Sequence, residues 1–209
     1  MDIILQSHIF GPMKNNTYLL ADPVSGMAII IDPAQGSHLL IDQLKQMGVT
    51  LNTIWITHAH FDHFCDIQSF LLSFPDAQVA LHPLDLDLWE QGGGAYDLGF
   101  SFNTDIHPQL FLTNGQKLTI GNMMVEVRHT PGHTPGHVIF YLPAMKTAFT
   151  GDLIFYHSIG RSDLQGGDFD QLIQSIHTQL FSLPAQTRLL CGHGPETSVQ
   201  EEMLNNPFV

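Results

Sequence analysis

Three histidines and an aspartate crowd into Thr57-His58-Ala59-His60-Phe61-Asp62-His63. Imidazole and carboxylate groups at this density are metal-ligand chemistry. In an extended segment, side chains at i and i+2 share a face, so His58 and His60 can reach one ion, whereas Asp62 and His63 start the next element and turn elsewhere. Three further candidates follow apolar runs and are flanked by glycine: His133 in TPGHTPGH, Asp152 in FTGD and His193 in CGHG. A single histidine at a strand end is usually structural, and a lone HxH pair is a weak signal. Seven candidates are a different matter, because they exceed the four ligands of a tetrahedral zinc site. The count argues for two ions sharing one carboxylate and one water. The nitrogen and oxygen donors suit zinc, iron or manganese, and affinity order does not choose among them. His137 is placed to orient a ligand from behind. His8, His38, His82, His107, His129, His157 and His177 are read as structural, and Cys65 as packing.

The elements that must position these groups are legible as periodic apolar runs. Residues 3 to 9, 16 to 22 and 27 to 32 read as strands, the last two joined through Pro23-Val24-Ser25-Gly26 as a hairpin. Ser37 is placed to N-cap a helix with Leu40, Ile41, Leu44 and Met47 on one stripe, ending at Gly48. TIWIT (53 to 57) is then a short strand that delivers the chain to His58. A helix from about Asp62 to Phe74 is predicted from Ile67, Phe70, Leu71 and Phe74, and Pro75 stops it. QVAL (78 to 81) is another strand. The segment from 89 to 103, rich in glycine and aromatics and without a phosphate-loop pattern, reads as a surface loop, with an aromatic lid over the site as the alternative. Strands follow at 117 to 121, 123 to 129, 137 to 142 and 147 to 150. Asp168 caps a helix carrying Leu172, Ile173, Ile176 and Leu180, 187 to 191 is the last strand, and Ser198 to Leu204 a terminal helix. Strands followed by helices occur twice, which suggests two sheet layers flanked by helices in one domain spanning 1–209.

Composition narrows the function classes. With 44% hydrophobic residues and 14 Phe the chain is globular rather than disordered. Seven scattered bases against 20 acids, a formal charge of −13, argue against a nucleic-acid partner. No apolar run approaches the roughly 18 residues of a membrane span, and the start carries Asp2 and no basic leader, so a cytoplasmic protein without a membrane partner is expected. Two cysteines without CxxC spacing suit a reducing compartment.

HAHFDH together with TPGHTPGH, TGD and CGHG resembles the metallo-β-lactamase superfamily, over essentially the whole chain. The resemblance implies an α/β fold, a four-layer αββα sandwich with the site at one edge between two sheets. Within the superfamily the chain is most similar to hydroxyacylglutathione hydrolases, the type II glyoxalases, and to compact bacterial members through IGRSDLQGGDFDQLIQSI (159 to 176), GHGPET (192 to 197) and NNPFV (205 to 209). Carried over by residue, it gives His58, His60 and His133 to a first metal and Asp62, His63 and His193 to a second, with Asp152 bridging. Asp62 would also position and activate the shared water. Asp152, where some β-lactamases use cysteine, and His60, where flavodiiron proteins have glutamate, argue against those branches, while lactonases share the whole set. With Asp152 bridging, Cys191 reads as packing rather than as a thiolate ligand. The helical domain with which full-length type II glyoxalases bind the glutathione carboxylates has no counterpart in these residues. Arg161, the base nearest the site in sequence, either holds a substrate carboxylate or fixes its loop through Asp163 or Asp168.

The expected cofactor is a pair of divalent ions, zinc first, with iron or manganese as alternatives. Such ions acidify water from about 15.7 toward neutrality and stabilise an oxyanion. A thiolate with a pKa near about 8.5 leaves without strong acid help. The expected substrate is therefore a small-molecule 2-hydroxyacyl thioester such as S-lactoylglutathione. The alternatives are a mononuclear-iron persulfide dioxygenase, resembled in HxHxDH and in Gly160-Arg161-Ser162-Asp163, a lactonase, and a non-catalytic metal-binding module with a closed ligand shell.

Overall fold

Every second side chain along the strands belongs to a different layer, and this alternation builds the fold. The computed structural model describes residues 3–102 and 104–209. In the first sheet, β1 (Ile4–Phe10), β2 (Asn15–Asp22) and β3 (Met27–Ile31) run antiparallel. After α1 (Leu40–Met47) the chain returns as β4 (Thr50–Trp55), parallel to β3. Then α2 (Ile67–Ser73) leads to β5 (Gln78–Leu81), and α3 (Leu86–Glu90) to the short β6 (Leu110–Phe111), both strands again parallel to their neighbours. The second sheet contains β7 (Lys117–Ile120), β8 (Met123–His129), β9 (Val138–Leu142) and β10 (Thr147–Gly151), an antiparallel meander. A small hairpin, β11 (Ile154–Phe155) and β12 (Ser158–Ile159), and α4 (Phe169–Ser175) precede β13 (Arg188–Cys191), which is parallel to β10. β14 (Thr197–Ser198) pairs on the outside, and α5 (Val199–Asn205) closes the chain.

Along β2, Leu19 and Ala21 join the layer under α1 and α2, while Tyr18 and Leu20 face the other sheet. The same division splits β9, where Ile139 and Tyr141 pack on the α4 side and Val138, Phe140 and Leu142 face inward. Trp55 stacks on Phe140 at 4.9 Å and Tyr18 meets Phe149 at 4.9 Å, so aromatic pairs join the sheets across the central layer. The result is the αββα sandwich.

Three local expectations are corrected. Ser37 is no helix cap: it is buried in a 3-10 turn, Ser37–Leu39, that precedes α1, and the Asp66 carboxylate accepts from the Gly36 and His38 amides (3.1 and 2.7 Å). The helix predicted from Asp62 is broken into a 3-10 turn, Phe61–His63, and α2, which begins only at Ile67. The break leaves His60 extended, and polar ties at His63 and Asp62, described below, compete with helix continuation. Finally, α4 runs on into a π-helical turn, Ile176–Leu180. The two- to five-residue elements β6, β11, β12, β14 and α3 carry too little periodicity to be read in advance.

Candidate metal centre

All seven predicted side chains converge at the sandwich edge where the two sheets end together. His58, His60, Asp62 and His63 follow β4 of the first sheet; His133 sits between β8 and β9, Asp152 follows β10 and His193 follows β13 of the second. His60 Nδ1 lies 2.9 Å from His133 Nε2, which lies 3.2 Å from His58 Nε2. Beside this trio, His63 Nε2 and His193 Nε2 stand 3.6 and 3.5 Å from Asp62 Oδ2. Asp152 lies between the two groups: its Oδ2 is 3.7 Å from His133 Nε2 and 3.6 Å from His193 Nε2, and its Oδ1 is 3.4 Å from His63 Nε2. Potential ligand atoms fall into overlapping sets, His58–His60–His133, His58–His63–Asp152 and Asp62–His63–His193, each within 4.8 Å.

Outer contacts fix which nitrogen faces inward for four of the five rings. His63 Nδ1 donates to Asp32 Oδ2 (3.0 Å), His133 Nδ1 to the Arg161 carbonyl (2.6 Å) and His193 Nδ1 to the Met13 carbonyl (3.1 Å). The Thr57 hydroxyl donates to Asp32 Oδ2 (2.7 Å) and so accepts from His58 Nδ1 (3.0 Å). With Nδ1 of His58 and His133 carrying the proton outward, their Nε2 atoms and the inward-facing His60 Nδ1 present lone pairs to one another. Lone pairs about 3 Å apart require a cation between them. His63 Nε2 and Asp152 Oδ1 are buried and have no hydrogen-bond partner among the described residues, as expected of atoms meant for metal. The cluster therefore suits a binuclear metal centre.

The electrostatics agree. Burial, reinforced by the neighbouring imidazoles, holds His58 well below the ordinary histidine range; burial and His133 bring His60 down to about 3, so both are neutral donors. Burial opposes charge on His63 as well, but Asp152, Asp62 and Asp32 outweigh it and push its pKa well above the usual value. Asp62 is likewise raised by burial yet drawn down to about 2 by His63, His193 and Asn15. The carboxylate side of the site is a seat for positive charge.

Sequence reasoning missed three buried supports. Asp32, in a left-handed conformation (φ 52°) after β3, takes the Thr57 amide as well as the Thr57 hydroxyl and His63. Asp85 accepts from the Ala59 amide (2.9 Å), the Thr134 hydroxyl (2.7 Å) and the Gly136 amide (2.5 Å), clamping the His58–His60 segment to the His133 loop. Asn15, at the start of β2, donates to Asp62 Oδ2 at 2.7 Å. Asp32 ends an apolar strand and was detectable on that ground; Asp85 and Asn15 carry no local signal. His137 is buried, stacks on His58 at 5.3 Å and bonds Thr130 Oγ1 (2.8 Å), so it backs the first trio without joining it. Cys191 is buried and absent from every ligand set.

The centre forms the floor of a cavity of about 300 Å³ with mainly apolar walls, including Met13, Phe61, Leu88, Phe155, Ile159 and Leu164. Gly93 and Gly94 complete one wall. Here the 89–103 segment is neither a free loop nor a detached lid, because Trp89 stacks on Phe64 (3.9 Å) and Phe100 and Phe102 pack on Phe61; Asn103 lies outside the described residues. Arg161 lies at the rim, more than half exposed and held by Asp163 through two 2.9 Å bonds. The loop-fixing bridge is thus formed, with Asp163 and not Asp168, which caps α4 instead.

A family model described as the metallo-beta-lactamase superfamily matches residues 10–193. The chain belongs to that superfamily. Among solved structures, the BLEG-1 B3 metallo-beta-lactamase superposes with a TM-score of 0.91 at 37% identity, covering 98% of this chain and 99% of that one. TTHA1623 in a di-iron-bound form superposes with a TM-score of 0.87 at 38% identity, covering 98% and 100%. The hydroxyacylglutathione hydrolase GloC of Haemophilus influenzae is 33% identical over 184 residues, 87% of each chain. As a superfamily member the protein is a metallohydrolase-type enzyme, and no described helix is long and apolar enough to cross a membrane.

Proposed function

We propose that this metallo-β-lactamase-fold protein is a hydrolase with two divalent ions, cleaving a 2-hydroxyacyl thioester such as S-lactoylglutathione. The observation that carries this reading is the convergence of His58, His60 and His133 beside Asp62, His63 and His193, with Asp152 between them, at the floor of an open cavity; the first trio would hold one ion and the second the other. A closed structural site would leave no room for substrate. When bound, the ions supply Lewis acidity and a water acidic enough to yield hydroxide near neutral pH. Asp62, ionised and weakly basic, would orient that water as an acceptor. The apolar walls exclude bulk water around the acyl group and strengthen each charge interaction at the floor. No serine or cysteine nucleophile is required, and burial raises Cys191 to about 12, out of reach of thiolate chemistry at neutral pH.

The likeness to GloC supports the thioester and the di-iron form of TTHA1623 supports a pair of ions, iron included, although zinc remains our first assignment. His193 beside Asp62 favours a second ion and so the hydrolase over the one-iron dioxygenase. The likeness to BLEG-1 makes β-lactam hydrolysis the second reading. The test is metal counting per chain with parallel assays on S-lactoylglutathione, a lactone and a cephalosporin. The expected result is two ions, preferential thioester cleavage, and a loss of at least about 100-fold in Asp62→Ala. Wild-type protein loaded with two ions that leaves the thioester intact overturns the substrate; one iron with oxygen uptake on glutathione persulfide overturns the hydrolase.

A further inference from the structure

We infer that Asn15 is a positioning residue for the Asp62–His63–His193 half-site, one that fixes the second ion and leaves the first half-site alone. The inference rests on the two-ion reading above. Asn15 is 1% exposed, and its Nδ2 donates at 2.7 Å to Asp62 Oδ2, the oxygen that faces both His63 and His193. The same Nδ2 stands 3.4 Å from His193 Nε2. One amide therefore touches two of the three groups of this half-site, and none of the first trio.

The backbone makes this placement rigid. Asn15 forms an isolated bridge with His193, and the Asn16 amide donates to the Gly192 carbonyl at 2.7 Å. Asn16 Nδ2 bonds the Cys191 and Gly194 carbonyls (2.9 and 2.8 Å), and the Tyr18 hydroxyl bonds the Cys191 carbonyl (2.5 Å). The Met13 carbonyl orients His193 from the same strand entry. This stitching ties β2 of the first sheet to the His193 turn of the second, and Asn15 is the member whose side chain reaches a ligand carboxylate. A carboxylate without this donor is free to rotate away from its two imidazoles, and outer partners of this kind are worth about 10- to 100-fold in metal affinity.

The test is zinc binding by calorimetry and metal analysis on Asn15→Ala and on Asn15→Leu, which keeps the branch at Cγ without the donor. Expected is retention of one tightly held ion with the second weakened at least about 10-fold, and unchanged far-ultraviolet dichroism. Two ions bound with wild-type affinity in Asn15→Leu overturn the inference by reducing Asn15 to packing, and equal weakening of both ions overturns its selectivity. Should neither variant fold, the wild-type protein decides: the Asn15 side-chain amide resonances must move with the second equivalent of zinc, and movement with the first equivalent or none overturns the assignment. These readouts are independent of substrate. Wild-type protein that holds two ions but cleaves no thioester refutes the proposed substrate and leaves the role of Asn15 standing.

Discussion

Asp32 Oδ2 lies 3.0 Å from His63 Nδ1, on the far side of the ring from Asp62 and Asp152. It accepts from the Thr57 hydroxyl as well, and that hydroxyl in turn receives His58 Nδ1. One buried carboxylate thereby sets the tautomers of ligands in both half-sites. In Asp32→Asn the amide keeps the shape but turns a donor toward His63 Nδ1–H when its oxygen stays on the Thr57 amide. We expect both ions to bind about 10- to 100-fold more weakly, read by competition with a chromophoric chelator. Weakening of only one ion would contradict the shared role.

Gly192 packs against the Asp152 carboxylate. A Cβ there would collide with Asp152 Oδ1 and come within 2.8 Å of His63 Cε1. Gly192→Ala should destabilise the protein by about 1–3 kcal/mol and reduce bound metal below two ions per chain. Thermal melts with and without chelator check this, and an unchanged metal content would show that the turn can shift without cost.

At Arg161 the guanidinium is already paired with Asp163 at the surface, where solvent screens the interaction and it contributes little. We predict that Arg161→Ala changes kcat/KM for S-lactoylglutathione by less than about threefold. Asp163→Ala, which frees the cation at the cavity rim, should lower KM for that substrate more than for a thioester lacking carboxylates. A tenfold loss in Arg161→Ala would mean that the arginine leaves Asp163 for substrate.

His82 stacks face to face on His129 at 4.1 Å, away from the metal cluster, and burial with the neighbouring imidazole brings its pKa down to about 4. A histidine lowered on folding contributes stability that is present above its unfolded value near 6.5 and is lost as pH falls from there toward 4. Urea midpoints of wild type and His82→Gln should therefore converge on acidification from pH 7.5 to 4.5. A gap that widens in acid would reverse the sign.

Much of this was legible from sequence because the carriers of the chemistry are local: HAHFDH declares four ligands in one segment, and the apolar runs before His133, Asp152 and His193 declare that each follows a strand. The strands of 117 to 150 were read almost to the residue, since their alternation reflects a two-sided sheet. Two of the three supports, Asp85 and Asn15, were not legible. Asp85 clamps a segment 26 residues before it to one 49 to 51 residues after it, and Asn15 meets Asp62 across a separation of 47. Such pairings arise from topology, not from any periodic pattern. The broken helix after His60 was misread for a related reason, because the spacing from Ile67 to Phe74 is helical while the residues before it obey polar ties to another strand.

Four of the seven converging groups belong to one sheet and three to the other, where polar links from Asn15, Asn16, Tyr18, Asp85 and Val138 also cross the seam. Two cations seated in this place would act as a rivet between two half-shells. Stripping it leaves the apolar interlayer intact but removes the fastening at one rim, so breathing should begin there: the amides of Asn16 and Val138, which bond Gly192 and Thr57 across the seam, should exchange hydrogen faster in chelated protein while Ile30, deep beneath the outer helices, keeps its protection.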